Sequence, residues 1–449
     1  MTSHFNVHEH TIPTAHIREY PRALVDDQED VLQLAIKQYT PKESRGRSQQ
    51  SVTVIGAHAN GFPKELYEPL WDDLYSRLKA KNIHIDSLWI ADVAHQGASG
   101  ALNEEKVGND PSWADHPRDL FLMVNHFRKH MKRPLVGIGH SMGGNNLVNL
   151  SLMHPRLFTS LILIDPVIQR LPSAQGNVAP AKASIRRRDI WPSRQAAAAK
   201  LKSSPFYQKW DPRVLDKWIQ HGLRETPTYI HPNGTPSSSA TPIINADPTA
   251  STLGTDREVT LTTTKHQEVM TFLRPNLPSP QYPSPGKDPN PLTHPDIDPS
   301  APPNAPFYNS VPVATFHKLP YVRPSVFYVF GDPAAGAFLS APIMKADKLA
   351  LTGTGVGGSG GAKKGRVSSI TFDGIGHLIP MEIVGRTADA CTEWLVPELQ
   401  RWCGIEEKER EEWATVPRKQ KAMLSEEYVR AMTEDGAGKK NGVDGKSRL

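Results

Sequence analysis

Between residues 51 and 166 the chain alternates two kinds of apolar pattern. Runs with little polar interruption at 51–58, 83–91, 134–140 and 158–166 read as strands buried on both faces. Between them Leu66, Leu70, Leu74 and Leu78 recur every four positions beside Tyr67 and Trp71, as on a helix facing a sheet. Leu120, Phe121, Val124 and Phe127 mark a second helix, and the stretch from Asn146 to Met153 a third. Strand, helix, strand, helix, strand, helix, strand is the order that a parallel sheet covered on both faces accommodates. The fold class is therefore α/β with a mostly parallel central sheet.

The same rhythm locates the rest of the chain. Segments 16–24 and 31–37 suit an antiparallel start to the sheet, and 324–331 and 366–372 supply its far end. A last helix opens after Asp373 and runs through Trp394, Leu395 and Leu399. Around residue 170 the alternation stops. Residues 181–223 look helical and carry Arg186-Arg187-Arg188 with Trp191, Phe206, Tyr207, Trp210 and Trp218. Residues 226–255 are rich in Thr, Ser and Pro, and 278–306 hold eleven prolines. The expected organisation is a core of 1–170 and 316–405, a cap insertion at 171–315, and a C-terminal helix and tail at 406–449. The cap aromatics suit either an apolar acyl pocket or a small core of the cap itself.

Composition narrows the function. The 52 basic and 47 acidic residues of the 449 are interspersed, so the net charge of +5 gives no reason to expect nucleic acid as a partner. No run approaches a membrane span, and the N-terminal octet lacks a charged start and apolar core, so neither secretion nor membrane spanning is expected. Cys391 and Cys403 are expected to be free thiols, with no zinc site. The Gly353–Gly361 run contains a Gly-x-Gly-x-x-Gly match. No strand enters it directly, no helix pattern follows, and Lys363 precedes neither Ser nor Thr, so a loop is expected rather than a phosphate cradle. Ser447-Arg448-Leu449 is a variant of the Ser-Lys-Leu peroxisomal signal and makes the import receptor an expected partner and the peroxisomal matrix the expected location.

The chemistry centres on Gly139-His140-Ser141-Met142-Gly143-Gly144 between a strand and a helix. A serine at so tight a turn needs neighbours with almost no side chain, and in return it projects its hydroxyl from the sheet edge. The Met142 N–H, at the helix start, then points at any oxyanion formed there. A serine hydroxyl needs a base, and His377 follows the last strand after a Gly-containing turn, on the side where Ser141 emerges. His58, His95 and His140 are better explained as structural.

In this order, His58-Ala59-Asn60-Gly61-Phe62, Asp92-x-x-His95-x-Gly97-x-Ser99, the Ser141 turn and Gly374-Ile375-Gly376-His377 resemble the α/β-hydrolase superfamily. The glycine run, the large cap and the Ser447-Arg448-Leu449 ending resemble its fungal peroxisomal members, among them a peroxisomal lipase and the toxin-biosynthesis hydrolases. The resemblance implies a serine hydrolase acting on an ester, thioester or related acyl bond with no metal or organic cofactor. Ser141 would be nucleophile and His377 base, and the oxyanion would be held by the N–H of Met142 and one from Asn60, or else Phe62. For the triad acid the pattern leaves two positions open: Asp165, after the strand that follows the elbow helix, and Asp332, only one residue past Gly331. Alternatives of another class are a lyase or isomerase on the same fold, or a catalytically silent binding protein.

Overall fold

In the computed structural model, which describes residues 2–44, 50–170, 174–233, 257–284, 287–297 and 305–434, the continuous apolar runs become the middle of one sheet. Its strands are β1 (Phe5–Pro13), β2 (Gln33–Pro41), β3 (Gln50–Ala57), β4 (Ile83–Ala91), β5 (Leu135–His140), β6 (Phe158–Ile164), β7 (Ser325–Phe330) and β8 (Val367–Thr371). They lie in the order β1-β2-β4-β3-β5-β6-β7-β8. The β1/β2 and β2/β4 pairs are antiparallel and the rest parallel.

Alternate residues of the central strands feed two cores. Val52, Val54, Ile162 and Ile164 face one side, where they meet Leu70, Trp71 and Leu74 of α1 (Glu68–Ala80) and Leu395 and Leu399 of the long helix Val384–Thr415. Ile55, Leu161 and Leu163 face the other, against Leu120 and Met123 of α2 (Asp115–His126) and Leu147 and Leu150 of α3 (Met142–Met153). Both faces are dry, which is why these strands read as unbroken apolar runs. Cutting one fully buried leucine such as Leu74 to alanine costs ~2–5 kcal/mol.

The first strand differs from expectation. Residues 16–24 form no strand and contain a short 3-10 turn at Pro21–Ala23; the antiparallel start is instead β1 with β2. As the outermost strand, β1 buries little besides Phe5 and Ile12, so its polar sequence carried almost no apolar signal.

Between β6 and β7 the chain builds α4 (Ala174–Arg186), the helices Arg194–Lys202 and Pro212–His221, α5 (Lys265–Phe272) and the helix Val311–Lys318. A three-stranded sheet orders Ile190–Trp191, Val259–Leu261 and Leu223–Glu225 with its middle strand antiparallel to both neighbours. Nothing in the local pattern had marked these two- and three-residue strands. Trp191, Trp210 and Trp218 are buried, and Phe62 meets Trp210 and Trp218 edge-on at 5.6 and 5.9 Å between ring centres. These rings join the core on the α1 side of the sheet and seat the insertion on the loop after β3. The glycine run is a loop in which the amides of Gly353, Gly355 and Ser359 donate to Leu319, Pro320 and Val322.

Residues Met1–Leu399 form one compact unit and Gln400–Leu449 another. In the second, the helix Glu426–Glu434 exposes Tyr428, Val429 and Met432. Ser447-Arg448-Leu449 lies outside the described residues. Cys391 and Cys403 are free thiols, both on the helix Val384–Thr415; burial pushes the Cys391 thiol up to about 12. No helix among the described residues is long and apolar enough to cross a membrane.

Candidate active site

The turn between β5 and α3 is built by contact with the neighbouring strand end. A Cβ on Gly143 would lie 2.1 Å from the Ala57 carbonyl oxygen, and one on Gly139 would lie 2.6 Å from that of Gly143. Only hydrogen fits at either place, so the turn closes onto β3. Ser141 is left at φ 57°, a left-handed conformation that costs a non-glycine residue roughly 1–3 kcal/mol. Two backbone bonds hold it there: its N–H donates to Ile164 C=O at 2.9 Å, and its C=O accepts from Val167 N–H at 3.1 Å.

His377 and Asp165 converge on this serine from the ends of β8 and β6. His377 Nε2 lies 2.9 Å from Ser141 Oγ, and His377 Nδ1 lies 2.6 Å from Asp165 Oδ2. Burial alone would push the Asp165 carboxyl up, but the hydrogen bond and charge of His377, the Ser340 hydroxyl and the Lys348 ammonium together bring it below its usual value. An ionised carboxylate only accepts, so His377 Nδ1–H donates to it and Nε2 presents its lone pair to the Ser141 hydroxyl. That is the tautomer able to take the serine proton. Asp165 is fully buried, and its other oxygen accepts from Ser340 Oγ–H at 2.5 Å. Lys348, also buried, donates to the neighbouring Leu339 C=O at 2.9 Å, and burial brings its ammonium down to about 8.

The loop after β3 stands opposite. Ala59, Gly61 and Phe62 each spend their N–H, on Tyr67 OH at 2.8 Å, Gln96 Oε1 at 2.8 Å and Ala59 C=O at 3.2 Å. Among the described residues the N–H groups of Asn60 and of Met142 have no hydrogen-bond partner. The Asn60 side chain is itself held, donating to Glu268 C=O at 2.9 Å and accepting from Gln96 Nε2 at 2.7 Å. A second chain of bonds ties this loop to the base. His140 Nε2 lies 2.9 Å from His377 C=O, which only accepts, so Nε2 carries the proton. His140 Nδ1 then accepts from Tyr67 O–H at 3.0 Å, and the Tyr67 oxygen accepts from Ala59 N–H. Burial holds His140 down to about 3, so it stays neutral and cannot compete as a base.

Comparison with known proteins gives the family of this fold. The family Hydrolase_4, described as serine aminopeptidase, S33, matches residues 71–230. The type I acyl-CoA thioesterase mpaH of Penicillium roqueforti is 41% identical over 413 residues, covering 91% of this chain and 91% of its own. The chain belongs to the α/β-hydrolase superfamily. It is a hydrolase of that fold, with eight strands in its sheet and the insertion after β6. The abhydrolase domain-containing protein AFT2-1 of Alternaria alternata is 26% identical over 301 residues, 67% of this chain and 97% of its own. Among solved structures, the peroxisomal α/β-hydrolase Lpx1 of Saccharomyces cerevisiae covers 97% of both chains with a TM-score of 0.62 at 16% identity, a likeness of fold.

Within this hydrolase the residues expected from sequence fall into two groups. Ser141, His377 and Asp165 are brought together in one hydrogen-bonded chain, while Met142 on the elbow and Asn60 on the loop after β3, which Gly143 packs against, keep unpartnered N–H groups among the described residues. Asp332 and Phe62 do neither. Asp332 is half-buried and caps the turn at Pro333–Ala335, accepting from Ala334 N–H at 2.8 Å and Gly374 N–H at 3.0 Å. Its position one residue past Gly331 aims the carboxylate at these amides instead of the imidazole. Phe62 spends its N–H on Ala59 and its ring on the tryptophans. Sequence reasoning did not find Ser340, Tyr67 or Gln96 as parts of the site. Ser340 follows Gly331 in an irregular turn, with no spacing that marks it. His58, His95 and His140 are buried and hydrogen-bonded as structural residues. No group of His, Cys, Asp or Glu among the described residues could hold a metal ion.

Proposed function

We propose that the protein is an acyl-CoA thioesterase working through an acyl-enzyme on Ser141. The observation that carries this reading is the continuous Ser141–His377–Asp165 chain, at 2.9 and 2.6 Å, in a protein 41% identical across nine-tenths of its length to a type I acyl-CoA thioesterase. His377 Nε2 takes the Ser141 proton as Oγ attacks the thioester carbon. The oxyanion would accept hydrogen bonds from the N–H groups of Met142 and Asn60, which have no other partner among the described residues. The coenzyme A sulfur leaves with the proton from His377 Nε2. His377 then takes a proton from water, the hydroxide attacks the acyl-serine, and the free acid departs while Ser141 regains its proton. Throughout, Asp165 stabilises the imidazolium and Ser340 fixes Asp165.

Purified protein offered a panel of acyl-CoA thioesters and matched oxygen esters, with thiol or acid release followed, tests the reading. Thioesters are expected to be turned over, and Ser141→Ala to be inactive on all of them. Turnover of oxygen esters with no thioester hydrolysed would replace it with an esterase.

The proposal extends to location: Ser447-Arg448-Leu449 would be read by the peroxisomal import receptor. A protein tagged at its N-terminus is expected in peroxisomes with the tripeptide and in the cytosol without it. An unchanged location would refute the signal.

A further inference from the structure

The Arg186-Arg187-Arg188 run is left unused by the chemistry, yet it lies beside the site. Ser184 Oγ donates to Glu268 Oε1 at 2.7 Å, and Arg187 donates to Glu268 Oε2. The Glu268 C=O in turn accepts from the Asn60 side chain, and its own side chain covers Gly61, where an added Cβ would meet Glu268 Cδ at 2.8 Å. The C-terminal end of α4 is thus fastened through one residue of α5 to the loop that presents the Asn60 N–H.

Three more cations stand at or just past this end of α4. Elsewhere in the insertion, Lys265 pairs with Asp189 at 3.0 Å, Arg213 with Asp73 at 2.8 Å, and Arg224 with Glu104 at 2.5 Å. Lys182, Arg186 and Arg188 are exposed and have no carboxylate partner among the described residues. Lys182 and Arg186, four apart, share one helix face, where like charges repel. Arg188, two residues past the end of the helix, donates from Nε to Ile190 C=O at 2.7 Å. The negative end of the helix dipole favours a cation in the last turn, but that field falls off within the turn and does not account for three.

We infer that the Lys182, Arg186 and Arg188 cluster binds the phosphates of the coenzyme A nucleotide, an inference that rests on the acyl-CoA reading and adds to it the subsite of the leaving group. Coenzyme A ends in a pyrophosphate and a 3′-phosphate, and guanidinium forks match phosphate oxygens two at a time. With the phosphates on this cluster, the pantetheine arm runs inward past the fastened loop and delivers the thioester to Ser141. Because the cluster is exposed, the interaction weakens with salt.

The test compares wild type with the triple variant Lys182→Ala/Arg186→Ala/Arg188→Ala on an acyl-CoA and on the same acyl group carried by N-acetylcysteamine, which has no phosphate. Exposed ion pairs contribute a factor of about two to five each. The ratio of kcat/KM for acyl-CoA to that for the N-acetylcysteamine thioester is therefore expected to fall about tenfold, through KM for acyl-CoA. An unchanged ratio overturns the inference and leaves the thioesterase reading standing. Calorimetry with coenzyme A itself, in a Ser141→Ala background with and without the triple substitution, needs no turnover. There the Kd is expected to rise about tenfold in the triple variant, and binding that is absent, or equal in both, also overturns the inference. Cluster-dependent coenzyme A binding without hydrolysis of any thioester would support the subsite and refute the thioesterase.

Discussion

Replacing Asp165 with asparagine keeps the shape of the site and removes one charge. In the native site Oδ2 accepts from His377 Nδ1–H at 2.6 Å and Oδ1 accepts from Ser340 Oγ–H at 2.5 Å, both in a fully buried position. An amide there has two settings. With its NH2 toward Nδ1, the imidazole is driven to the tautomer whose Nε2–H faces Ser141, and it can no longer take the proton. With its oxygen toward Nδ1, the tautomer survives, but the imidazolium formed during attack loses its counter-charge. Unit charges ~4 Å apart at an effective dielectric of about 20 attract by ~4 kcal/mol. At 1.36 kcal/mol per decade that is about 10³ in rate, and the tautomer cost brings the expected loss in kcat toward about 10⁴. The assay is steady-state turnover of one activated acyl thioester by purified Asp165→Asn and Asp332→Asn, with circular dichroism to follow the fold. Asp332, whose carboxylate meets only two backbone amides, is expected to change kcat by no more than about threefold. More than a tenth of wild-type turnover in folded Asp165→Asn, or a collapse in Asp332→Asn, would refute the reasoning.

Tyr67→Phe leaves Ala59 N–H without its acceptor and His140 Nδ1 without its donor, so kcat is expected to fall about tenfold with the fold intact, as one or two buried bonds of ~1–2 kcal/mol imply; stopped-flow thiol release checks it, and wild-type turnover would show that the oxyanion loop and base do not depend on this link. Burial brings both His95 and His140 down to about 3 from the usual histidine value, so between those limits the unfolded chain binds more protons than the native one. Stability is therefore fully present above about pH 6.5 and lost as pH falls toward 3, and urea midpoints for wild type and His140→Gln should converge on acidification. Gly143→Ala would drive a Cβ to 2.1 Å from Ala57 O, and at least ~3 kcal/mol of destabilisation is expected in thermal melts.

The parts legible in sequence were those encoded within a few residues. The unbroken apolar runs of β3, β5 and β6 announced a sheet covered on both faces, and the glycines flanking Ser141 announced a turn with no room for a Cβ. The identity of the acid is different, because it depends on how two strand ends lie side by side. Ile164 pairs with Val329, and just beyond that register Asp165 turns inward at φ 37° while Asp332 turns onto the amides of Ala334 and Gly374. Both carboxylates follow a strand, and only the tertiary placement of His377 separates them. The bonds through His140, Tyr67 and Ala59 join residues far apart in the chain, so no spacing could reveal them. The outer strand β1 was missed for the opposite reason, since solvent on most of its length removed the apolar alternation.

The central claim is a covalent acyl group on Ser141, transferred from a thioester. Rapid quench of wild type during turnover of an acyl-CoA, followed by peptide mass spectrometry, tests it directly. The account predicts one added acyl mass on the peptide holding Gly139-His140-Ser141-Met142-Gly143, absent in Ser141→Ala. Thiol release in the steady state with no acyl adduct at any time point, or an adduct on another residue, would contradict it.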